Sequence, residues 1–195
     1  MARIGKLRYS AMMRNSILCN RRHWIGTLTA AIFGGGAAHA AASKKPVELN
    51  LTNLEGQRVR MRDHRGKIVV LNFWATWCGP CQHEMPLLVA AEKEYREKGI
   101  VFIGASLDDA KTRRNVPDFV TKHGVTFPVW TGATGDDLAK LALGEAAPAT
   151  AFIDQEGLIV ARISGEMRKE ELDERLLWML AGRKGLVPQP FVSHL

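Results

Sequence analysis

The stretch IVVLNFWATWCGPC, Ile68 to Cys81, decides the fold. Its first seven residues are apolar except for Asn72 and open on three β-branched side chains. That is the pattern of a strand covered on both faces. The run then stops at two cysteines with only Gly79 and Pro80 between them. After Cys81 the period changes. Met85, Leu88, Val89 and Tyr95 fall on one face of a helix that runs to about Lys98, where Gly99 stops it.

Cys78 therefore stands where a buried strand hands over to a helix. The first N–H groups of a helix lack partners and the helix dipole is positive there, so a thiolate at that point is stabilised. Such thiols ionise at roughly pH 3.5–7.5 instead of about 8.5, and only the thiolate attacks disulfides. Cys81 lies one turn on, close enough to close a disulfide with Cys78. Pro80 is tolerated because the first helical turn has no N–H bond to lose. Trp74 and Trp77 are expected to shield the pair while leaving one sulfur reachable.

Outward from this stretch, VELNLTNLEGQRVRMRDHRGK reads as a β-hairpin with its turn at Glu55-Gly56 and a second strand from Arg58 to Arg62. IVFIGASL, Ile100 to Leu107, is a second central strand. A helix over 112–123, a short strand at Val129-Trp130 and a helix near Asp136 to Leu143 follow. Thr150 to Asp154 and Leu158 to Ile163 form a closing hairpin, and Lys169 to Gly182 a last amphipathic helix. Two buried strands joined through a helix imply a parallel βαβ unit, and the closing hairpin adds antiparallel strands. The fold class is α/β, a mixed central sheet flanked by helices with an N-terminal β-hairpin extension. The domain spans 47–182, after a linker at 41–46 and before a C-terminal tail at 183–195, where two prolines discourage regular structure.

The net charge of +7 at first suggests an anionic partner. Its distribution argues otherwise. Residues 1–40 hold Arg3, Lys6, Arg8, Arg14, Arg21 and Arg22 and no acidic residue. Of the 27 basic residues, 21 remain beyond that segment, against 20 acidic ones. That remainder offers no excess to neutralise phosphates, so no nucleic-acid partner is expected. The segment itself reads as an export signal. A basic region ends at Arg21-Arg22, a weakly apolar stretch follows, and Ala38-His39-Ala40 has the small residues of a cleavage site. NRRHWIG also resembles a twin-arginine signal, departing from it at Asn20 and Trp24. Ordinary secretion, the twin-arginine route and an uncleaved anchor all remain open, as does a start at Met12 or Met13. Cys19 lies within this leader and reads as incidental.

The Cys78–Cys81 pair has other readings. A structural zinc site wants four ligands, and His64, His83, His123 and His194 show no paired spacing, so no metal is expected. Haem attachment needs histidine after the second cysteine, where Gln82 stands. A purely structural disulfide would close a loop too short to constrain the unfolded chain much. Redox exchange takes the greater weight.

WATWCGPC resembles the active site of the thioredoxin superfamily. Pro86 falls where that family's active-site helix is kinked, and Pro148, in AAPATAFID, where it has a cis-proline loop before a hairpin strand. The resemblance covers roughly 46–182 and is most specific at NFWATWCGPC. Within the superfamily the chain is most similar to the exported TlpA/ResA/CcmG-like branch, whose members carry an N-terminal hairpin. Asn72, where cytoplasmic thioredoxin has a buried Asp, and Glu84, three residues after Cys81, fit that branch.

The resemblance implies a thioredoxin fold and an exported, periplasmic thiol–disulfide oxidoreductase. Cys78 and Cys81 would be the redox pair. Glu84, one turn below Cys81, would handle its proton, since a partly buried carboxyl holds a proton more tightly. Trp77, Gly79, Pro80, Ala147 and Pro148 would meet the substrate, with a cis Pro148 exposing the Ala147 backbone to an added strand. No cofactor beyond the dithiol is expected, and the chain would act as a monomer. The implied partners are a disulfide-containing protein, such as an apocytochrome c or a copper-site protein of oxidase assembly, and a membrane thiol donor of the DsbD/CcdA type. Two other readings stay open. One is a peroxiredoxin-like peroxidase, although the PxxxTxxC setting is missing before Cys78. The other is a copper carrier using Cys78 and Cys81 as soft ligands. Trp130, Trp178 and Met85 read as core residues, Glu145 as a loop charge, and Lys111 to Arg114 as a solvated helix face.

Overall fold

A computed structural model describes residues 45–195. The expected export signal, Cys19 within it and residues 41–44 of the linker lie outside the described residues. In chain order the strands are β1 (Asn50–Asn53), β2 (Arg58–Arg60), β3 (Ile68–Trp74), β4 (Ile100–Ser106), β5 (Val129–Thr131), β6 (Ala149–Ile153), β7 (Ile159–Ser164) and β8 (Phe191–Ser193). The α-helices are α1 (Gly79–Tyr95), α2 (Val116–His123), α3 (Gly135–Lys140) and α4 (Lys169–Leu180). All eight strands form one sheet in the order β2-β1-β5-β4-β3-β6-β7-β8.

The centre follows the expectation. β3 pairs in parallel with β4 and antiparallel with β6, so it has strands on both sides. All seven of its residues are buried. Alternation sends Val69, Leu71 and Phe73 to one face and Val70 and Trp74 to the other. Val69, Leu71 and Phe73 meet Leu49 and Leu51 and Leu138 of α3. Val70 and Trp74 pack with Met85 and Leu88 of α1, Phe119 of α2, and Leu172 and Leu176 of α4. Asn72 shares that second face by register, beneath α1. Gly104 of β4 lies opposite Asn72. A Cβ there would come within 2.8 Å of Trp74 Nε1 and 3.1 Å of Phe127, so glycine is what lets the Trp74 ring lie across β4.

The N-terminal hairpin forms with Leu51 opposite Val59. Its second strand ends at Arg60, short of the expected Arg62. There Met61–His64 turns into a 3₁₀ helix that buries Met61 to 1% exposure, while Met61 N–H donates to Leu49 O at 2.9 Å. Ahead of the hairpin, Val47 N–H donates to Gly157 O at 2.8 Å, in the β6–β7 turn. That turn lies at the Ile153 end of β6, beside Val69. Cys78 follows the other end of β3, where Phe73 pairs with Ala149.

The tail departs from the expectation. Although Pro188 and Pro190 interrupt it, Phe191–Ser193 adds β8 parallel to β7. The cause is non-local. Arg175 of α4, 1% exposed, donates from Nη2 to Gln189 O at 2.7 Å and from Nη1 to Glu171 O at 2.9 Å. Arg162 N–H of β7 donates to Pro190 O at 2.9 Å, and His194 Nε2 lies 2.8 Å from Glu171 Oε1. These contacts replace the local propensity that the prolines deny.

Candidate active site

Cys78 is the N-cap of α1, in extended conformation, and its Sγ accepts the Cys81 N–H at 3.2 Å. Gly79 and Pro80 follow at the first two helical positions, where a missing N–H costs nothing. The two cysteines are joined by a disulfide, with Cα atoms 5.3 Å apart. Both are nearly enclosed, but Cys78 keeps 5% of its surface and Cys81 only 1%. Attack from outside therefore favours Cys78. Pro86 lies inside α1, as expected. Trp74 is fully buried against Phe119, with ring centroids 4.5 Å apart. Trp77 is 63% exposed, with exposed Gly79 and Pro80 beside it.

Glu84 faces inward and is 2% exposed. Its Oε1 accepts the Met167 N–H at 3.4 Å, and its Oε2 lies 3.5 Å from Asn72 Nδ2. Burial outweighs these two donors and pushes its pKa up to about 8. Asn72 donates from Nδ2 to Thr150 Oγ1 at 3.0 Å, and its buried Oδ1 has no hydrogen-bond partner among the described residues. Glu84 is the residue of this pair best suited to proton transfer, because about 8 is close to the ordinary pKa of a thiol.

The Ala147–Pro148 bond is cis. Pro148 precedes Ala149, the residue of β6 opposite Phe73, so it stands at the β3 end that leads to Cys78. Ala147 packs against the core cluster that contains both cysteines. Cys78, Cys81, Glu84, Ala147 and Pro148 thus converge at one end of the sheet. Met85 and Trp130 are core, as expected; Trp178 is half-buried and packs against the same core, and Glu145 is an exposed loop charge, as expected.

A second cluster escaped the sequence reading. Asp108, 1% exposed, lies just after β4 and binds Thr76 in the turn before Cys78. A Ser-Leu-Asp run at the carboxyl end of a central strand was the available signal, since ligand and reaction sites gather at that end of α/β sheets.

A disulfide at a helix N-terminus, its first cysteine less enclosed than its second, with a proton-holding carboxyl one turn on, defines a thioredoxin-like thiol–disulfide oxidoreductase. The AhpC/TSA family model matches residues 42–162, and the chain belongs to that family. Among its relatives, the thiol-disulfide oxidoreductase ResA of Bacillus thuringiensis subsp. konkukian is 37% identical over 126 residues, covering 65% of this chain and 71% of ResA. ResA of Geobacillus kaustophilus is 34% identical over 166 residues, covering 85% and 93%. Among solved structures, the thiol:disulfide interchange protein named DsbE from Chlorobium tepidum superposes with a TM-score of 0.64 at 25% identity, covering 72% of this chain and 98% of that one. DsbF of Mycobacterium tuberculosis gives 0.57 at 29% identity, covering 68% and 94%.

Proposed function

We propose that the protein is an exported, periplasmic reductase of protein disulfides, working as a monomer through the Cys78–Cys81 dithiol with no other cofactor. The observation that carries this reading is Glu84, a carboxyl buried one turn beyond Cys81 with its pKa pushed up to about 8. A group so poised exchanges a proton with a thiol near neutral pH at little cost.

The Cys78 thiolate attacks one sulfur of the target disulfide. A Cys78–target bond forms and the target's other sulfur leaves as a thiolate. Cys81 gives its proton to ionised Glu84 and attacks Cys78 Sγ. The mixed disulfide breaks, the target departs with both sulfurs reduced, and two electrons have left the dithiol. To reset the pair, a donor dithiol attacks Cys78 Sγ. Glu84, now in its acid form, returns the proton to the departing Cys81. The donor's second thiolate then attacks the donor sulfur bonded to Cys78, so that Cys78 leaves as a thiolate and the donor closes its own disulfide. The backbone at Ala147, before cis Pro148, receives an extended segment of the target, while Trp77, Gly79 and Pro80 form the exposed rim around Cys78.

The CGPC sequence favours a low potential, near the roughly −270 mV of thioredoxin and not the about −120 mV of DsbA. A reductant outside the cytoplasm needs electrons from elsewhere, which makes a membrane thiol transporter of the DsbD/CcdA type its donor. Cysteines of apocytochrome c or of a copper site in oxidase assembly are its targets. No described helix is long and apolar enough to cross a membrane, and the leader's route and cleavage belong to residues 1–40. The test is the reduction potential of the pair, by equilibration against glutathione and dithiothreitol. A value below about −220 mV supports the reductase, and one above about −150 mV overturns it in favour of an oxidant.

A further inference from the structure

Ala75–Cys78 is the turn that carries β3 into α1, and it is held from the side. Thr76 donates its backbone N–H to Asp108 Oδ2 at 2.9 Å and its hydroxyl to Asp108 Oδ1 at 2.5 Å. Ser106 Oγ donates to the same Oδ2 at 2.9 Å, and in turn accepts the Asp108 N–H at 3.1 Å. Leu107 N–H donates to Trp74 O at 2.8 Å, and Gln82 Nε2 of α1 donates to Thr76 O at 3.1 Å. The turn is therefore gripped by the end of β4 on one side and by the helix it leads into on the other.

Asp108 is 1% exposed, and the three groups that donate to its carboxylate, the Thr76 backbone N–H and the Thr76 and Ser106 hydroxyls, are all neutral. Enclosing a carboxyl without a cation is expensive, and an apolar side chain would fill the space at lower cost. What an apolar side chain could not do is bind the backbone and the hydroxyl of Thr76 together. That double contact fixes residue 76 at two points, two positions before Cys78. The fixed turn in turn sets Cys78: its N–H donates to Ala75 O at 3.2 Å, and its sulfur lies over the Cys81 N–H.

We infer that Asp108 is a positioning residue for the attacking sulfur, acting through Thr76 to hold Cys78 against the N-terminus of α1. Its side-chain hydrogen bonds run to Thr76 and Ser106, so its hold on Cys78 passes through the turn. When the dithiol forms, this grip keeps the freed Cys78 sulfur at the helix end, where N–H groups stabilise the thiolate. Without it the turn relaxes, and the sulfur spends less time in that position.

The inference rests on Cys78 being the attacking thiol, and the test separates the two. Fully reduced protein is alkylated with iodoacetamide over pH 5–10, and the labelled cysteine is identified by mass spectrometry at early times. Label arriving first on Cys81 overturns the assignment of the nucleophile. With label on Cys78, Asp108→Ala is expected to slow alkylation at pH 7 about tenfold and to move the rate profile to higher pH, while the rate at the alkaline plateau is retained. Thr76→Val keeps the carboxyl and removes only the hydroxyl donor. It is expected to move the profile the same way by a smaller amount, and Thr76→Ser to restore it. The Thr76 pair carries the test if Asp108→Ala fails to fold. An unmoved profile in Thr76→Val overturns the inference. So does a shift to lower pH in Asp108→Ala, which would make Asp108 a charge acting on the thiolate and not a brace.

Discussion

Glu84 and Met167 are 83 residues apart in sequence, yet the Met167 N–H donates to Glu84 Oε1 at 3.4 Å. The β7–α4 loop thus supplies a donor to the carboxyl one turn beyond Cys81. That donor alone would favour the ionised form, but burial dominates and leaves Glu84 protonated up to about pH 8. In the proposed mechanism target reduction needs the ionised form as base, so its rate is expected to rise through a limb centred near pH 8. Glu84→Gln should lower the rate about a hundredfold and abolish that limb. Stopped-flow reduction of a model disulfide across pH 6–10 checks this.

The same carboxyl makes stability fall with pH. Folded oxidised protein holds the Glu84 proton up to about pH 8, whereas the unfolded chain releases it near the ordinary 4.5. The stability contribution is complete below the unfolded value and is lost as pH rises through the folded one. The loss is on the order of 5 kcal/mol for a shift of this size. Denaturant melts of oxidised wild type and Glu84→Gln at pH 4, 6 and 9 should show the gap between them changing in favour of the glutamine variant as pH rises.

The unequal enclosure of the two cysteines gives a different result for each. Cys81→Ser is expected to accumulate a stable mixed disulfide through Cys78 when offered an oxidised target. Cys78→Ser should form almost none, because Cys81 is 1% exposed. Non-reducing electrophoresis followed by peptide mapping distinguishes the two.

Asn72→Asp would place a second carboxyl where Nδ2 now lies 3.5 Å from Glu84 Oε2. Two carboxyls at that spacing cannot both ionise readily, so the pair should share a proton and lose it at a higher pH than Glu84 alone. The kinetic limb should move upward, and slower turnover at pH 7 should accompany it. A limb that stays in place would show that Asn72 does not act on Glu84.

Arg175 holds the tail by donating to Gln189 O from a site with 1% exposure. Arg175→Met should leave that carbonyl unpaired, release β8 and cost about 1–3 kcal/mol. Hydrogen exchange should show the loss of protection confined at first to residues 189–194 and their partners on β7, with the disulfide exchange rate unchanged.

What was legible in the sequence was local. The buried run Ile68–Trp74 announced β3, and the period change after Cys81 together with Gly99 bracketed α1. The spacing of Cys78 and Cys81 pointed to a redox pair, while Glu84 and Pro148 joined the site through the resemblance to the thioredoxin superfamily. What escaped depended on partners far along the chain. Asp108 reads as a loop acid until Thr76, 32 residues earlier, is placed beside it. β8 has three residues between a proline and the chain end, and exists because Arg162, Arg175 and Ser164 offer it partners. The early end of β2 follows from Met61 being drawn under Leu49, a tertiary preference that the alternation of Arg58 to Arg62 conceals.

The bond between Val47 and Gly157 has a practical corollary. The chain enters this domain at the β6–β7 turn, and its chemistry occurs at the far end of β3. A support grasping the polypeptide just ahead of residue 47 would leave the reactive pole pointing outward. Beads coupled there should reduce a bulky oxidised protein nearly as fast as free enzyme does. Beads coupled through the exposed His83 beside the disulfide should work only on small peptides.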